Sequence, residues 1–343
     1  MKKLRVMMLL HDELVPPEDV TDREDPRLKD SKTEFDVHQA LLKLGHEVKV
    51  VGLMDDITPI YTTIQEWKPN IAYNMMEAFA DIGALDYYIA VYLDMLGMPY
   101  TGCNPRGLLL SRDKSLSKKI MGYHRIRVPK FFVFPRNRKI NASRLEKLPY
   151  PLIVKSTVEQ GSVGIAQASY VSNPQELTDR VNQLFEMAEG DAIAEQYIDG
   201  RELYVTVLGN KRLEVLPIRE LVFGKAEENI HKIATYTVKW NEEYREKWGI
   251  DYQFVRNLPD GMNEKIVKTC KRIYRVLGMT GYARIDLRLS PDGRLYVLEA
   301  NPNAAIALDE DVAFSAERAG YSYEQLIQKV LNLGLSNQPL SQY

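Results

Sequence analysis

The chain has 343 residues, of which 45% are apolar and 27% charged, with a formal net charge of -2. That length supports a sizeable core spread over two or three domains, and the near balance of charge excludes a general nucleic-acid or membrane-surface binder, which needs a basic excess. Cys103 and Cys270 are the two cysteines and lie far apart, without metal-ligand spacing or a disulfide framework, which fits a reducing, cytoplasmic setting.

The first apolar run, residues 4–10, is too short for a secretory signal and leads into His11-Asp12-Glu13 with no small-residue cleavage site. It reads as a strand covered on both faces. No later stretch is long and apolar enough to span a bilayer. After a polar loop, Ser31-Lys32-Thr33-Glu34 predicts a capping box, and Val37, Ala40, Leu41 and Leu44 form the apolar stripe of the helix it opens. Gly45 ends that helix as a left-handed cap. Residues 47–53, 70–74 and 98–100 read as further strands, alternating with helices near 57–67 and 85–96. Strands alternating with helices indicate a parallel, doubly wound α/β domain, Rossmann-like but without a dinucleotide glycine fingerprint.

From residue 104 the rhythm changes. A basic helix spans about 112–122, and short strands follow at 130–134, 151–156, 165–170, 192–196, 203–209 and 212–217, interrupted by a helix at 174–189. This pattern predicts an α+β arrangement of antiparallel strands. Residues 220–260 carry many charges with weak periodicity and predict a long loop partly covering a site. A helix at 263–277, a hairpin and a final helix at 323–333 complete the chain.

The hairpin, residues 281–301, is the most informative segment. Taking Asp292-Gly293 as a two-residue turn sets Pro291 opposite Arg294, Asp286 opposite Glu299 and Arg284 opposite Asn301, all four of the outer residues on one face. Two carboxylates facing each other repel. A hard divalent cation resolves that conflict, because magnesium takes carboxylate and amide oxygens and completes its shell with water and phosphate. Arg284 beside them is placed to hold a developing oxyanion. Lys155, at the end of an apolar strand, leads into Glu159-Gln160-Gly161-Ser162-Val163-Gly164, a loop whose backbone N–H groups can approach an anion. Residues 192–202 supply a strand, an Asp199-Gly200 turn and the acids Glu195 and Glu202. An edge strand there could bind a nucleobase through its backbone, with Glu202 on ribose hydroxyls. Each of these segments also fits an ordinary hairpin.

In their order along nearly the whole chain, these segments resemble the ATP-grasp enzymes and, within them, the D-alanine–D-alanine ligase family. The Pro99-Tyr100-Thr101-Gly102 and Arg112-Asp113-Lys114 segments look like that family's entry into the ATP-grasp fold. The resemblance assigns nucleotide binding to Lys114, Lys155, Gly161, Ser162, Glu195, Tyr197, Ile198, Glu202 and Lys239, with Lys239 as a third phosphate lysine. It assigns the oxyanion arginine to Arg284 and the magnesium ligands to Asp286, Glu299 and Asn301. It implies a Rossmann-like (pre-ATP-grasp) domain at 1–103, a central ATP-grasp subdomain at 104–190 and a C-terminal one at 191–343. It further implies ATP with two Mg2+ ions, a homodimer, and a C–N ligase in which ATP converts a carboxylate to an acylphosphate that an amine attacks, releasing ADP and phosphate. The alternatives are an ATP-grasp phosphotransferase and a non-catalytic ATP sensor.

The departures gather where substrates bind in the family. The glycine-rich opening with its amine-binding glutamate is replaced by residues 10–17, and the histidine-glycine stretch by residues 74–83, which include Glu77. Trp240 stands where a tyrosine is expected, and Glu310 where the family has a serine for the second substrate's carboxylate. An acid repels a carboxylate and favours an amine or guanidinium. Glu77 and Glu310 are therefore the candidate substrate contacts, and ligation of a pair other than two D-alanines is expected.

Overall fold

The computed structural model describes residues 2–159, 161–162, 164–188, 190–224 and 231–337. Gln160 and Val163 of the glycine loop, Glu189 at the end of one expected helix and residues 225–230 of the expected loop lie outside the described residues.

The N-terminal third runs β1 (Arg5–His11), α1 (Lys32–Lys43), β2 (Glu47–Leu53), α2 (Thr58–Trp67), β3 (Ile71–Asn74) and α3 (Asp86–Met95). Its three strands form a parallel sheet in the order β2-β1-β3. Both faces of β1 are buried: Val6, Met8 and Leu10 join Val37 and Leu41 in one core, while Met7 and Leu9 join Leu53, Ile60 and Ile89 in another. This is why the strand reads as an unbroken apolar run. Two expectations fail here. Ser31 starts α1 but its side chain makes no cap, and its N–H donates to the Leu28 carbonyl at 3.1 Å, leaving Glu34 no donor to reach back to. Residues 98–100 form only a single parallel bridge between Ala72 and Tyr100, since Pro99 has no N–H to extend the ladder.

Next, α4 (Pro105–Arg112) and α5 (Lys114–Tyr123) meet at Asp113, whose carboxylate accepts the N–H groups of Ser115 and Leu116 at 2.7 and 2.9 Å. The antiparallel middle sheet contains β4 (Phe131–Phe134), β5 (Leu152–Ser156), β6 (Tyr170–Val171) and β7 (Ala192–Gln196) in the order β4-β7-β5-β6, with α6 (Ala142–Leu145) and α7 (Pro174–Met187) inserted. Leu177, Val181 and Leu184 of α7 cover one face by packing on Leu152, Val154, Ala192 and Ala194. Alternation then turns Lys155 and Glu195 to the other face. Most of the expected strand at 165–170 is instead a tight turn, closed by the Ser169 hydroxyl accepting the Ala166 N–H at 3.1 Å.

The large sheet is built from β8 (Arg201–Leu208), β9 (Glu214–Val215), β10 (Arg219–Phe223), β11 (Ile250–Phe254), β12 (Tyr282–Leu289) and β13 (Leu295–Pro302), in the order β11-β10-β8-β12-β13 with β9 beside β8. Residues 220–260 are thus not a structureless loop. They contain β10, β11, α8 (Tyr236–Trp240) and α9 (Glu242–Trp248), and Val238, Leu221, Ile250 and Tyr204 form a small core beneath them. Several of their charges, Lys239, Glu242, Arg245, Glu246 and Asp251, line a cavity rather than a core. One face of the sheet packs on α10 (Met262–Val276), through Ile266, Cys270 and Ile273. Finally α11 (Asp311–Arg318) and α12 (Tyr323–Ser336) return the chain to the first sheet, where Leu326, Ile327 and Val330 share a core with Val6, Met8 and Val37. No helix among the described residues is long and apolar enough to cross a membrane.

Candidate active site

Pairing across the large sheet sets Phe254, Arg219, Tyr204, Asp286 and Glu299 in one continuous row over five strands. Arg284 lies in the adjacent row between Thr206 and Asn301. Paired residues share a face, so Arg284, Asp286, Glu299 and Asn301 project together, while Ala283, Ile285 and Leu287 point into the core on the other side.

The hairpin reaches this pairing by a route different from the expected one. Its turn has three residues, Pro291-Asp292-Gly293, with Ser290 N–H donating to Arg294 at 2.9 Å and Gly293 at φ +77°. Pro291 therefore does not face Arg294. A β-bulge at Leu298, between the pairs Asp286–Glu299 and Leu287–Val297, restores the register. The signal was present: Leu295 and Val297 share parity with Glu299 and Asn301, yet the first two are buried in the core and the last two belong to the site. Only an extra residue between them permits that.

Within the site Arg284 grips Asp286 with two bonds, Nε at 2.8 Å and a terminal nitrogen at 3.0 Å, and lies 4.8 Å from the Tyr204 ring. The Asn301 amide donates to Asp286 at 3.1 Å and to Glu299 at 3.4 Å, presenting both carboxylates with the polarity a cation would supply. Burial pushes the Asp286 carboxyl up to about 6, with Arg284 pulling it down and Glu299 adding to the rise. Burial also opposes charge on Glu299, but Lys114, Lys155, Lys239 and Arg284 outweigh it and hold that carboxyl well below the usual range. Two opposed carboxylates and one amide form a donor set that suits magnesium, which binds few protein groups and relies on phosphate oxygens for the rest. No cluster of three His, Cys, Asp or Glu side chains able to hold a metal occurs among the described residues.

The middle sheet faces this row across a narrow cleft lined by Lys155, Ser162, Glu195, Tyr197, Ile198, Glu202, Lys239, Asp286 and Glu299. Its charges are largely matched. The Glu195 carboxylate lies 3.3 Å from both Lys118 and Lys155, and Lys114 lies 3.7 Å from Glu299. Glu202 is held by Arg288 at 2.8 Å and by the Tyr204 hydroxyl at 2.8 Å. Strand β7 is flanked by β4 and β5 and is not an edge. The connection after it, residues 197–200, is held at its two ends, where the Tyr197 N–H donates to the Pro151 carbonyl and Arg288 donates to the Gly200 carbonyl, each at 3.0 Å. Gly161 and Ser162 are tied to the covering segment: the Trp240 indole donates to the Gly161 carbonyl at 3.0 Å, and the Ser162 hydroxyl to that of Ala234 at 2.9 Å.

Beyond Arg284 the cleft widens into a cavity of about 810 Å³ bounded by Glu77, Lys239, Trp240, Arg219, Asn301 and Glu310. Arg219 is sandwiched between Phe254 and Phe314 and pairs with Asp311 at 3.1 Å, and Asp311 in turn faces Arg284 at 3.7 Å. Lys118, Arg219 and Arg288 were not foreseen. Lys118 sits four residues after Lys114 on the same face of α5, and Arg288 shares parity with Arg284 and Asp286, so both had a periodic signal. Arg219 had none.

A family model described as D-ala D-ala ligase C-terminus matches residues 121–332. The chain belongs to the D-alanine–D-alanine ligase family. The D-alanine–D-alanine ligase of Bordetella petrii is 31% identical over 244 residues, 70% of this chain and 69% of that protein. That of Carboxydothermus hydrogenoformans is 27% identical over 307 residues, 87% and 91% of the two chains. A crystal structure of the Bacillus anthracis D-alanine–D-alanine ligase complexed with ATP superposes with a TM-score of 0.72, covering 97% of this chain and 98% of that one at 21% identity. The ATP-grasp fold of the family is therefore the fold of this chain.

Proposed function

We propose that this family member is a magnesium- and ATP-dependent ligase that joins a carboxylate to an amine through an acylphosphate. The observation that carries the reading is the row containing Asp286 and Glu299, open on one side to a lysine-lined cleft and on the other to the large cavity. Magnesium held by Asp286, Glu299 and Asn301 would offset phosphate charge. Lys114, Lys155 and Lys239 orient the phosphates, and residues 197–200 with Glu202 face the nucleoside. Arg284, kept rigid by Asp286 and Asp311, holds the oxygen on which negative charge collects as the amine attacks. A Rossmann-like domain at 1–103 and ATP-grasp subdomains at 104–190 and 191–343 would then enclose the reactants, in a homodimer.

Glu77 and Glu310 border the cavity where a second carboxylate would have to sit, and this supports a product other than a dipeptide of two D-alanines. The test is phosphate release from Mg-ATP with amino acids and amines offered singly and in pairs, with mass spectrometry of the products. Release that requires one particular pair, and a product lighter by one water than their sum, establishes the ligase. Phosphate release that needs no amine rejects it.

A further inference from the structure

Beside the large cavity lies a second one of about 360 Å³, and Glu77, Trp240, Asn303 and Glu310 border both. Its far wall is α1, from which Glu34 reaches inward. Glu34 is 7% exposed, and no cation pairs with its carboxylate among the described residues; its hydrogen-bond donor is its own backbone N–H. The neighbouring acids are treated differently. Asp36 is gripped by Arg23 at 2.8 Å and accepts the Leu308 N–H at 2.9 Å, while Asp309 pairs with Arg23 at 2.7 Å. These contacts fasten the segment carrying Glu310 to α1 and the loop before it without neutralising Glu34.

The groups facing Glu34 add to the imbalance. Glu77 comes from the loop after β3, and Asp309 and Glu310 from the segment after β13. The lysines are at the rim: Lys32 pairs with Glu24 at 3.0 Å, and Lys29 lies on the exposed edge beside Asp30. Trp240, 56% exposed, offers its ring as a wall, a surface that attracts cations. A carboxylate withdrawn from water and left without a counter-charge is costly unless a ligand supplies one.

We propose that this second cavity receives a further ammonium or guanidinium group, beyond the reacting amine and beyond the α-ammonium that any amino-acid carboxylate donor carries, so that one of the two joined substrates is a basic amino acid or a diamine, selected by Glu34 with Glu77 and Glu310. The proposal rests on the ligase reading for the reaction but not for the charge selection. Without a ligand, burial pushes the Glu34 carboxyl up to about 7, with Glu77 and Asp36 adding to the rise. Cation affinity should therefore increase between pH 6 and pH 8 as Glu34 ionises.

The experiment is calorimetric titration of the full chain, loaded with magnesium and a non-hydrolysable ATP analogue, using lysine, arginine and putrescine against norleucine and butylamine. A probe with the additional cationic group should bind at least about tenfold more tightly than its counterpart lacking that group, as expected for a desolvated charge pair. Glu34→Gln should remove that preference and its pH dependence while leaving the affinity for the analogue unchanged, which also reports an intact fold. Glu77→Gln, at an exposed position, should weaken the preference less. Equal binding of lysine and norleucine, or a preference that survives Glu34→Gln, overturns the proposal. Phosphate release measured in parallel separates the two readings. Charge preference without turnover for any pair leaves the cavity and rejects the ligase, whereas turnover restricted to neutral pairs leaves the ligase and rejects the cavity.

Discussion

The nucleotide cleft and the second cavity are both rich in carboxylates, but they balance charge in opposite ways. In the cleft each acid has a protein counter-charge: Glu195 has Lys118 and Lys155, Glu202 has Arg288, Asp286 has Arg284, and Glu299 has Lys114. There the protein holds a network that a polyanion and its metal can enter by exchanging partners. In the second cavity Glu34 is buried and no cation is paired with it among the described residues, so its charge is offset by a proton at low pH and, on the proposal above, by the ligand's cation at higher pH. Burial of charge is therefore not itself the mark of a catalytic centre, and what matters is who supplies the opposite sign.

The largest effect is expected in the cleft. Glu299→Gln should lower phosphate release by about a thousandfold or more, the scale of losing one preorganised electrostatic element, while nucleotide analogue binding stays within about tenfold. Analogue binding lost together with turnover would make Glu299 a binding residue only. Next, Arg284→Lys should reduce kcat by about a hundredfold with little change in KM, because an ammonium cannot replace the two parallel bonds to Asp286. Steady-state kinetics at saturating ATP decides this.

Two stability measurements sharpen the contrast further. Lys118→Met leaves Glu195 with Lys155 as its remaining cation, and should cost about 2 kcal/mol in urea unfolding, less than breaking an isolated buried pair. The smallest effect concerns Glu34. Its carboxyl titrates near 7 in the folded chain against an ordinary 4.5, so the folded state binds the extra proton between those values and wild-type stability falls as pH rises through that window. Glu34→Gln lacks this loss. At pH 8 the variant should be more stable by about 1–2 kcal/mol, the full shift being discounted because the cavity opens to water, and near pH 4.5 the gap should largely close. Thermal melts of both proteins across pH provide the check, and a constant gap would show that Glu34 does not titrate as described.

Much of this arrangement was legible in the residues. The bounds of β2 and β7 and the helix after β2 follow from local pattern, whereas Asp286 stands opposite Glu299, as expected, only because the bulge at Leu298 offsets a turn one residue longer than the expected one. What escaped depends on contacts distant in sequence. Residues 236–248 form helices whose buried side, Val238, gains meaning only against Leu221, Ile250 and Tyr204. Strand β7 looked like an edge because nothing local announces that β4, some sixty residues earlier, pairs with it. Helix α11 was hidden by Asp309-Glu310-Asp311, which reads as loop until Arg219 takes up Asp311. The cap foreseen for Glu34 failed for a similar reason, and the side chain was released into the cavity.

The bulge at Leu298 bears on how the molecule moves. Removing that residue would leave Asp286 opposite Glu299 in a plain ladder, so the ligand set does not require it. What the spare residue contributes is a carbonyl turned out of the ladder, and the Lys118 ammonium takes it while also reaching Glu195 on the middle sheet. One side chain thus rivets the floor of the nucleotide cleft to the strand bearing Glu299. On the proposed ligase reading, any opening of the two sheets to admit ATP would either carry that strand along or draw the rivet, so the spare residue would join nucleotide entry to the alignment of Asp286 and Glu299.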